Sequence, residues 1–404
     1  MELYFADAIG PDYVGVLESQ GHRCVVATTG TKKDLSQHLA TAEVLIVRST
    51  SVTREMIEAA PQLGLIVRAG AGTDTIDVDA ASEYGIYVCN VPGQNAVAVA
   101  ELTMGLILSI DRRIPHSTID FQNSVWDKTK YSDASGLKGQ TIAILGFGSI
   151  GLEVAKRAKS FGLHIHGLHA AARSDETKET LNDLGVSLHE SLKELLRVSD
   201  IVSLHLPLTD QTERLVNQTF LDQMKQGAML INTSRGALID EDALLKAMTA
   251  KGLRLGLDVY NSEPEDGTAE WSPQLAAMEN FVGTHHIGAS TEQARKAIAQ
   301  GVLLTIAGYE TGLPPNCVNV ADRPLGECAI AVRHKDEVGV LAAVLSCLRT
   351  AGINVQQMRN EIFEGSGPTA AVATIRVSQG PDDSTVQVLQ DIPSVIKVDV
   401  LTSS

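Results

Sequence analysis

Short apolar runs alternate with longer amphipathic stretches from the first residue to about residue 290. Each run is rich in Val, Ile or Leu and is bounded by polar residues or glycine, which is typical of buried parallel strands. Alternating strand and helix signals predict open, doubly wound parallel sheets. The runs are too numerous for one sheet, so we expect two α/β domains. The predicted strands are Val44–Val47, Leu65–Val67, Tyr87–Cys89, Thr141–Leu145, Ile201–Leu204, Met229–Ile231 and Leu255–Val259.

The apolar stretch Glu101–Arg113 predicts a helix that connects these two α/β domains. We therefore expect a discontinuous substrate-binding domain formed by 1–97 and 292–318, and a dinucleotide-binding domain formed by 98–291. Three prolines in a short span then indicate a linker. The final segment, 326–404, has the pattern strand, helix, strand, strand, helix, strand, which is the order of the ferredoxin-like βαββαβ unit.

Composition narrows the classes of function and the compartment. The formal net charge of -16 disfavours nucleic acid and anionic membranes as partners. The five cysteines are odd in number and form no CxxC pair, so we expect no disulfide framework, no metal site and a reducing cytoplasm. The first residues, MELYFADAIG, show no basic and apolar pattern of a signal peptide, and we expect a cytoplasmic protein.

The run TIAILGFGSIG has glycines in G-x-G-x-x-G spacing directly after a predicted strand and at the start of the predicted helix Ile150–Phe161. In that context the pattern predicts a dinucleotide site. The first glycine permits a tight turn, the second lets the backbone approach the pyrophosphate, and the third allows close helix–strand packing. The helix N-terminus offers free N–H groups to the phosphates. The predicted contacts are Gly146, Phe147, Gly148, Ser149, Ile150 and Gly151.

The end of the second strand of this unit departs from the NAD pattern. An acidic residue is expected about 20 residues after the glycines, where it binds the ribose hydroxyls of NAD. Here the predicted strand Leu163–Leu168 continues into His169, three alanines and Arg173. His169 and Arg173 are compatible with the 2′-phosphate of NADP, and both are equally compatible with a solvated loop beside NAD.

Three motifs place charged residues at the ends of later strands: Arg235 in NTSRGALIDEDAL, Asp258 and Glu263 in LDVYNSEPE, and His286 in GTHHIGAST. In open α/β sheets, ligands bind at the carboxyl ends of the strands. An arginine fork binds a carboxylate, and a histidine takes a hydroxyl proton near neutral pH. A carboxylate on the other ring nitrogen stabilises the imidazolium. We assign these three roles to Arg235, His286 and Glu263, which together predict oxidation of a 2-hydroxy acid.

These motifs resemble those of the D-isomer-specific 2-hydroxyacid dehydrogenases. The resemblance covers roughly residues 1–315 and rests also on VRSTSVT, LIVRAGAGTDTID, LHLPLT and HHIGAST. It implies an NAD-dependent oxidoreductase. The family usually has proline at the position of His285, so His285 competes with His286 for the role of proton acceptor. Glu263 argues against the formate-oxidising branch. The resemblance implies further cofactor contacts at His205, Pro207, Thr233, Ser234, Arg235, Asp258, His286 and Gly288.

The C-terminal unit resembles an ACT domain through VRHKDEVGVLAAVLSCLRTAGINV. Within the family that appendage is typical of the branch that oxidises 3-phospho-D-glycerate to 3-phosphohydroxypyruvate in the first step of serine synthesis. It implies allosteric L-serine binding at His334, Asp336 and Asn354. The family usually has Asn at Asp336 and Pro at Val338, so a purely architectural dimerisation module remains the alternative. The resemblance further implies a homodimer or homotetramer.

A phosphorylated substrate requires more positive charge than Arg235 provides. Arg48 and Arg68 lie at the ends of predicted strands of the first domain, and we expect them to face the interdomain cleft. Ala69 and Gly70, which follow Arg68, would bring backbone N–H groups to the substrate carboxylate.

Three other functions compete with this interpretation. An NADPH-dependent glyoxylate or hydroxypyruvate reductase is favoured by the missing acid near His169 and disfavoured by the ACT-like segment. A nucleotide-sensing corepressor would retain the same catalytic residues but would not need the C-terminal unit. A pure amino-acid sensor would leave those catalytic residues unexplained.

Overall fold

A computed structural model describes most of the chain, and the described residues form two compact units, Met1–Asn319 and Val320–Ser404. The described ranges are 1–7, 11–27, 38–264, 268–321, 323–364 and 369–402.

The first sheet is fully parallel, with the strand order β2-β1-β3-β4-β5. Its central strand β3, VLIV, is completely buried because both faces of a parallel sheet are covered. The strands are β1 (Glu2–Phe5), β2 (Arg23–Val26), β3 (Val44–Val47), β4 (Leu65–Arg68) and β5 (Tyr87–Asn90). The helices that the described residues give in full between these strands are α1 (Pro11–Ser19), α2 (Arg54–Glu58) and α3 (Val78–Glu83).

The second sheet is also parallel, with the order β12-β11-β10-β9-β6-β7-β8. Its strands are β6 (Thr141–Leu145), β7 (His164–Leu168), β8 (Ser187–His189), β9 (Ile201–Leu204), β10 (Met229–Asn232), β11 (Arg254–Leu257) and β12 (Phe281–Gly283). The strand order reverses between β6 and β9, and ligands of doubly wound sheets bind beyond the strand ends at such a switch point.

Helices cover this second sheet and connect it to the first. The helix α4 (Ala96–Arg112) leads from the first sheet and packs on β10, β11 and β12. The remaining elements are α5 (Ile114–Gln122), α6 (Ser149–Ser160), α7 (Asp175–Leu184), α8 (Leu192–Val198), α9 (Gln218–Gln223) and α10 (Glu241–Lys251). The last helix of the unit, α11 (Glu292–Glu310), returns to the first sheet and buries Ile298, Val302 and Ile306 in its core.

The chain that follows α11 pairs with β5, the edge strand of the first sheet. The Asn90 N–H donates to the Asn316 carbonyl at 3.2 Å, and the Val318 N–H donates to the Val88 carbonyl at 2.8 Å. Cys89 and Cys317 therefore lie opposite each other in an antiparallel bridge. Burial, followed by the neighbouring Cys317, raises the pKa of the Cys89 thiol to about 12.

The C-terminal unit is an antiparallel sheet with the order β14-β15-β13-β16 and two helices that cover one face. Its elements, in chain order, are β13 (Cys328–Lys335), α12 (Val340–Thr350), β14 (Val355–Ile362), β15 (Ala370–Val377), α13 (Asp383–Gln390) and β16 (Val395–Thr402). The predicted βαββαβ order and the predicted two parallel sheets are confirmed.

Strand prediction failed mainly where the runs are polar or short. β1, β2 and β8 were not predicted, because ELYF, RCVV and SLH mix polar and apolar residues. The strand expected to end at Val259 ends at Leu257, because the chain turns there to form the site described below. The finer division of the first unit at residues 97 and 291 stays a prediction. Among the described helices, none combines the length and the apolarity needed to cross a bilayer.

Candidate active site

His286 and Glu263 form a hydrogen-bonded pair at the ends of β12 and β11. The distance between Nδ1 of His286 and Oε2 of Glu263 is 2.7 Å, and Oε1 of Glu263 accepts the Tyr260 N–H at 2.8 Å. Burial opposes ionisation of Glu263, but the hydrogen bonds from His286 and Tyr260 outweigh it and hold the pKa of this carboxyl below its ordinary value. The bond uses Nδ1 and leaves Nε2 of His286 for a second partner. His285 has no hydrogen bond from the described residues.

The turn that carries His286 is strained and is held by Asp258. His286 has φ of +51°, a left-handed conformation that non-glycine residues adopt only where their surroundings impose it. Asp258 is buried, and its carboxylate accepts the N–H groups of Ile287 and Gly288 at 2.8 Å each and the hydroxyl of Thr284 at 2.6 Å. A Cβ at Gly288 would lie 3.0 Å from this carboxylate. Asp258, predicted as a cofactor contact, thus holds the backbone of the turn that carries His286.

Arg235 follows β10 and reaches the loop after β4 of the other sheet. Its Nε and Nη2 donate to the two carboxylate oxygens of Asp74 at 2.9 and 2.8 Å, and its Nη1 donates to the Ser234 carbonyl at 2.7 Å. The buried Asn232 stabilises this turn, because its amide donates to the Arg235 carbonyl and its side-chain oxygen accepts the Ser234 N–H. Asp74 and Asn232 lie within the motifs LIVRAGAGTDTID and NTSRGALIDEDAL, but neither was predicted as a site residue, because their roles arise from contacts that the motifs alone do not show.

Arg48 and Arg68 lie at the ends of β3 and β4, as predicted. Asp7 accepts the N–H groups of the turn at Arg48, and the Arg48 guanidinium donates to Ser290, just beyond the histidine turn, at 3.4 Å. Arg68 folds over Gly70, whose φ is +151° and where a Cβ would lie 1.5 Å from Nη1 of Arg68. The side chain of Ala69 is buried in the core. The N–H groups of Ala69 and Gly70, predicted to contact the substrate carboxylate, already donate to the Val47 and Arg68 carbonyls at 2.7 and 2.8 Å and are therefore not free for it.

The arginines repel one another across the site. Burial and then the charge of Arg235 lower the pKa of Arg68 to about 10, with Arg48 contributing in the same direction. The Nε of Arg68 is buried and has no hydrogen-bond partner among the described residues. Arg235 in turn contributes to the low pKa of Glu263. The arrangement thus combines a proton acceptor with a cationic surface that an anion would neutralise.

The glycine turn after β6 has the shape that a dinucleotide phosphate requires. Gly146 has φ of +102°, and a Cβ there would lie 2.2 Å from the His205 carbonyl, while a Cβ at Gly151 would lie 1.9 Å from the Gly146 carbonyl. A Cβ at Gly148 would meet no atom of the protein within 4 Å. Gly148 caps α6 without a side chain, which leaves the N–H groups of the first turn, at Ser149 and Ile150, available. These observations fit a bound pyrophosphate.

The structure places a cation, Arg173, close to the end of β7, where NAD enzymes usually have an acid and this chain has His169. Arg173 donates to the Leu168 carbonyl, and its guanidinium lies over the Phe147 ring, with the central carbon 5.4 Å from the ring centre. Phe147 itself is buried beneath Gly167, so its side chain belongs to the core. His169 is exposed, and its N–H donates to the His189 carbonyl.

The other predicted cofactor residues divide between surface and interior. His205 bonds to the Ser203 hydroxyl at 2.8 Å, and burial lowers the pKa of its imidazole to about 3, so it is neutral. Thr233 bonds to Thr103 in the interior, and the Ser234 hydroxyl donates to the Leu204 carbonyl. Pro207 is exposed and lines a cavity of about 510 Å³ together with Asp74 and Arg235.

The three predicted effector residues do not form one site within the C-terminal unit. His334 is buried near the end of β13, where its ring contacts the Lys335 carbonyl and the Asn360 side chain, and Asp336 follows it. Asn354 precedes β14, whose first residue aligns with Val377 and hence with Cys328 at the start of β13. The length of β13 therefore separates Asn354 from the other two residues, a span on the order of 25 Å.

Three kinds of comparison with known proteins agree on the family to which this chain is similar. Residues 104–288 match the NAD-binding domain of the D-isomer specific 2-hydroxyacid dehydrogenases. The chain is 39% identical over 327 residues to the D-3-phosphoglycerate dehydrogenase of Methanocaldococcus jannaschii, with 80% of this chain and 60% of that protein covered. It is 42% identical over 269 residues to the hydroxypyruvate reductase of Thermotoga maritima, with 66% and 84% covered. The D-lactate dehydrogenase of Aquifex aeolicus, solved with NAD and lactic acid, has a TM-score of 0.70 and 27% identity over 80% of this chain and 100% of that one.

The chain belongs to the D-isomer specific 2-hydroxyacid dehydrogenase family, and it carries that family's NAD-binding domain. The resemblance inferred from the sequence motifs is confirmed. Relatives named for two different substrates match over this region. The chain spans 60% of the length of the Methanocaldococcus jannaschii relative.

Proposed function

We propose that this protein oxidises 3-phospho-D-glycerate to 3-phosphohydroxypyruvate, with NAD as the hydride acceptor. The observation that carries the proposal is the group of three arginines, Arg48, Arg68 and Arg235, next to the His286–Glu263 pair. A substrate with two anionic groups, a carboxylate and a phosphate, would relieve the repulsion among these arginines. It would also provide an acceptor for the Nε of Arg68, which has no partner among the described residues.

The residues of this chain would divide the reaction as follows. Arg235 binds the substrate carboxylate, and Nε2 of His286 takes the proton of the 2-hydroxyl group. Glu263 holds the imidazole through Nδ1 and stabilises the imidazolium that forms. The glycine turn after β6 would hold NAD, which would supply the acceptor for the hydride that leaves C2. The products are the 2-oxo acid, NADH and one proton, so atoms and charge balance.

Arg48 and Arg68 would bind the phosphate. We expect Arg48→Ala to lower kcat/KM for 3-phospho-D-glycerate by about tenfold to hundredfold, the range for losing a hydrogen bond to a charged group. The same variant should leave kcat/KM for unphosphorylated D-glycerate nearly unchanged. Equal losses for both substrates would exclude Arg48 as a phosphate ligand.

The direct test of the proposed reaction is a dehydrogenase assay with purified protein, 3-phospho-D-glycerate, and either NAD or NADP. Parallel assays with D-glycerate, and with hydroxypyruvate and glyoxylate in the reducing direction, compare the substrates. The proposal requires the highest kcat/KM for the phosphorylated acid with NAD. A higher kcat/KM for hydroxypyruvate or glyoxylate with NADPH would contradict this proposal and support the reductase instead.

The reductase is the second candidate because of the end of β7. His169 stands at the end of the strand where an acid would select NAD, and the guanidinium of Arg173, five residues after the strand, is held nearby by Leu168 and Phe147. A fixed cation at this point favours the 2′-phosphate of NADP. The preference among substrates and the preference for NAD or NADP therefore have to be measured separately.

Regulation by L-serine would require two C-terminal units. One unit cannot bring Asn354 to His334 and Asp336, whereas two copies paired through the edges of their sheets could combine these residues into one site. We expect millimolar L-serine to inhibit the enzyme and to bind with a stoichiometry of one per chain. No response in activity or binding at millimolar L-serine would exclude feedback and leave an architectural role.

A homodimer or homotetramer is supported by an apolar surface around α5. Ile114, Ile119, Phe121, Val125 and Trp126 are all exposed, and Trp126 is exposed to 78%. Apolar surface of this kind marks sites of protein association. Light scattering of the purified protein should give a mass of at least two chains, and a monomeric mass would contradict the proposal.

A further inference from the structure

The arginine that we propose for carboxylate binding is itself held by a carboxylate. Asp74 lies in the loop after β4, 161 residues before Arg235, and accepts both Nε and Nη2 of the guanidinium at 2.9 and 2.8 Å. Both side chains are about one-third exposed or less, at 34% for Asp74 and 28% for Arg235. Such a two-point pair fixes the plane of the guanidinium as well as its position.

Counting donors shows what this pair leaves for a substrate. A guanidinium has five N–H groups. Asp74 takes one from Nε and one from Nη2, and the Ser234 carbonyl takes one from Nη1. One N–H remains on each terminal nitrogen. Two N–H groups on adjacent terminal nitrogens are the number and arrangement that a second carboxylate accepts in a bidentate pair.

The backbone beside the pair is shaped to admit the guanidinium. A Cβ on Gly72 would lie 1.8 Å from Nη2 of Arg235 and 2.6 Å from Oδ1 of Asp74. Gly72 does not have a positive φ, so backbone conformation gives no reason for glycine here. The absence of a side chain is required by the position of Arg235. The cavity of about 510 Å³ beside the pair is lined by both charged residues and by Gly72.

We propose that Asp74 is a positioning residue: it holds one edge of the Arg235 guanidinium so that the two remaining N–H groups are presented to the substrate carboxylate. The inference rests on the proposed function, because it takes Arg235 as the carboxylate ligand. Its contrary is that Asp74 occupies Arg235 as an internal competitor, which the substrate must displace. The two roles predict opposite changes in KM.

The first experiment is steady-state kinetics of Asp74→Asn, in which the amide can accept only one of the two N–H groups. Loss of orientation should raise KM for the hydroxy acid by about tenfold to hundredfold and leave kcat within about threefold, since the carboxylate contact is made equally in the ground and transition states. A fall in KM would show the competitor and overturn the proposal. An unchanged KM, or a rise in KM for NAD equal to that for the hydroxy acid, would overturn it as well.

The matched control is Glu83→Gln. Glu83 makes a bidentate pair with Arg54 in the same unit, at 2.7 and 3.1 Å, between α2 and α3. That pair is exposed and belongs to neither proposed ligand site, so the variant should retain the KM and kcat of the wild type. If KM rises in Glu83→Gln as much as in Asp74→Asn, the effect is not specific to the pair with Arg235, and Asp74 has only a structural role.

A second variant, Gly72→Ala, displaces Arg235 while the charge of Asp74 remains. The clash falls on the far end of a flexible side chain, so the fold should tolerate it while the guanidinium moves. Calorimetric titration with oxamate, in the presence of NADH, measures carboxylate binding without turnover. We expect the Kd for oxamate to rise about tenfold or more in Asp74→Asn and Gly72→Ala, but not in Glu83→Gln. Unchanged Kd values in the first two variants would overturn the proposal.

The oxamate titration also separates this inference from the proposed substrate. A wild-type protein that binds oxamate but does not oxidise 3-phospho-D-glycerate would exclude that reaction and leave the role of Asp74 to be decided by the variants. A wild-type protein that neither binds oxamate nor oxidises any 2-hydroxy acid would overturn both.

Discussion

Glu263 accepts a hydrogen bond of 2.7 Å from Nδ1 of His286, although 23 residues separate them in the sequence. The two residues follow adjacent strands, β11 and β12, whose parallel pairing brings their carboxyl ends together. Asp258 then fixes the histidine turn through two N–H groups and a hydroxyl. The orientation of the imidazole is therefore determined by two acids, one at the ring and one at the backbone.

His286→Gln should lower kcat for hydroxy-acid oxidation by on the order of 10²–10⁴, the usual contribution of a general base. His285→Gln is the matched control, because it removes the neighbouring imidazole but leaves the pair with Glu263 intact. We expect that control to retain kcat within about threefold. A loss of kcat in His285→Gln as large as that in His286→Gln would contradict the assignment of the proton transfer to His286.

The Glu263 carboxyl should make stability depend on pH in the acid range. Its pKa in the folded protein lies below the ordinary value of 4.5. The folded state therefore favours the ionised form, and the resulting stability is present above pH 4.5 and is lost as pH falls through the folded pKa. When the pH is lowered from 7 to 4 and below, the melting temperature of Glu263→Gln should fall less than that of the wild type.

The control for this measurement is Glu213→Gln, which changes an exposed glutamate for which no side-chain contact is found among the described residues. Its melting temperature should follow that of the wild type across the same pH range. If Glu263→Gln also follows the wild type, Glu263 is not the source of the acid sensitivity.

The second and third glycines of the dinucleotide turn should respond differently to alanine. Gly148→Ala places its Cβ in open space, so the melting temperature should stay close to that of the wild type. Gly151→Ala places its Cβ 1.9 Å from a backbone carbonyl, an overpacking that typically costs about 1–3 kcal/mol. Titration with NADH should nevertheless show at least tenfold weaker binding in Gly148→Ala. Normal binding there would exclude the approach of the pyrophosphate to Gly148.

Arg173→Ala tests whether the cation at the end of β7 recognises a 2′-phosphate. We expect KM for NADP to rise about tenfold or more, because a hydrogen bond to a charged group is lost, and KM for NAD to change little. Arg197→Ala, on the exposed surface of α8, removes the same charge elsewhere and should change neither value. Equal KM changes for both cofactors in Arg173→Ala would argue against a role in selectivity.

The sequence predicted those features that have a local pattern. Strands such as VLIV are continuous apolar runs because both faces of the sheet are buried, and the glycine spacing after β6 reports a backbone shape. Arg235, Glu263 and His286 were found because they follow such strands. Asp74 was missed, because its meaning arises only when the loop after β4 meets Arg235, 161 residues later. The separation of Asn354 from His334 could not be predicted from the sequence either, because it depends on strand register.

The short stretch 316–319 has a consequence for where this chain can be cut. It pairs with β5, which would otherwise present an edge of unpaired N–H and carbonyl groups to solvent. Exposed edges of this kind recruit strands of other molecules and lead to aggregation. A protein truncated after Asn319 keeps that edge protected, whereas one truncated after Leu313 uncovers it. Removal of the C-terminal unit should therefore give a dispersed protein in the first case and a self-associating one in the second.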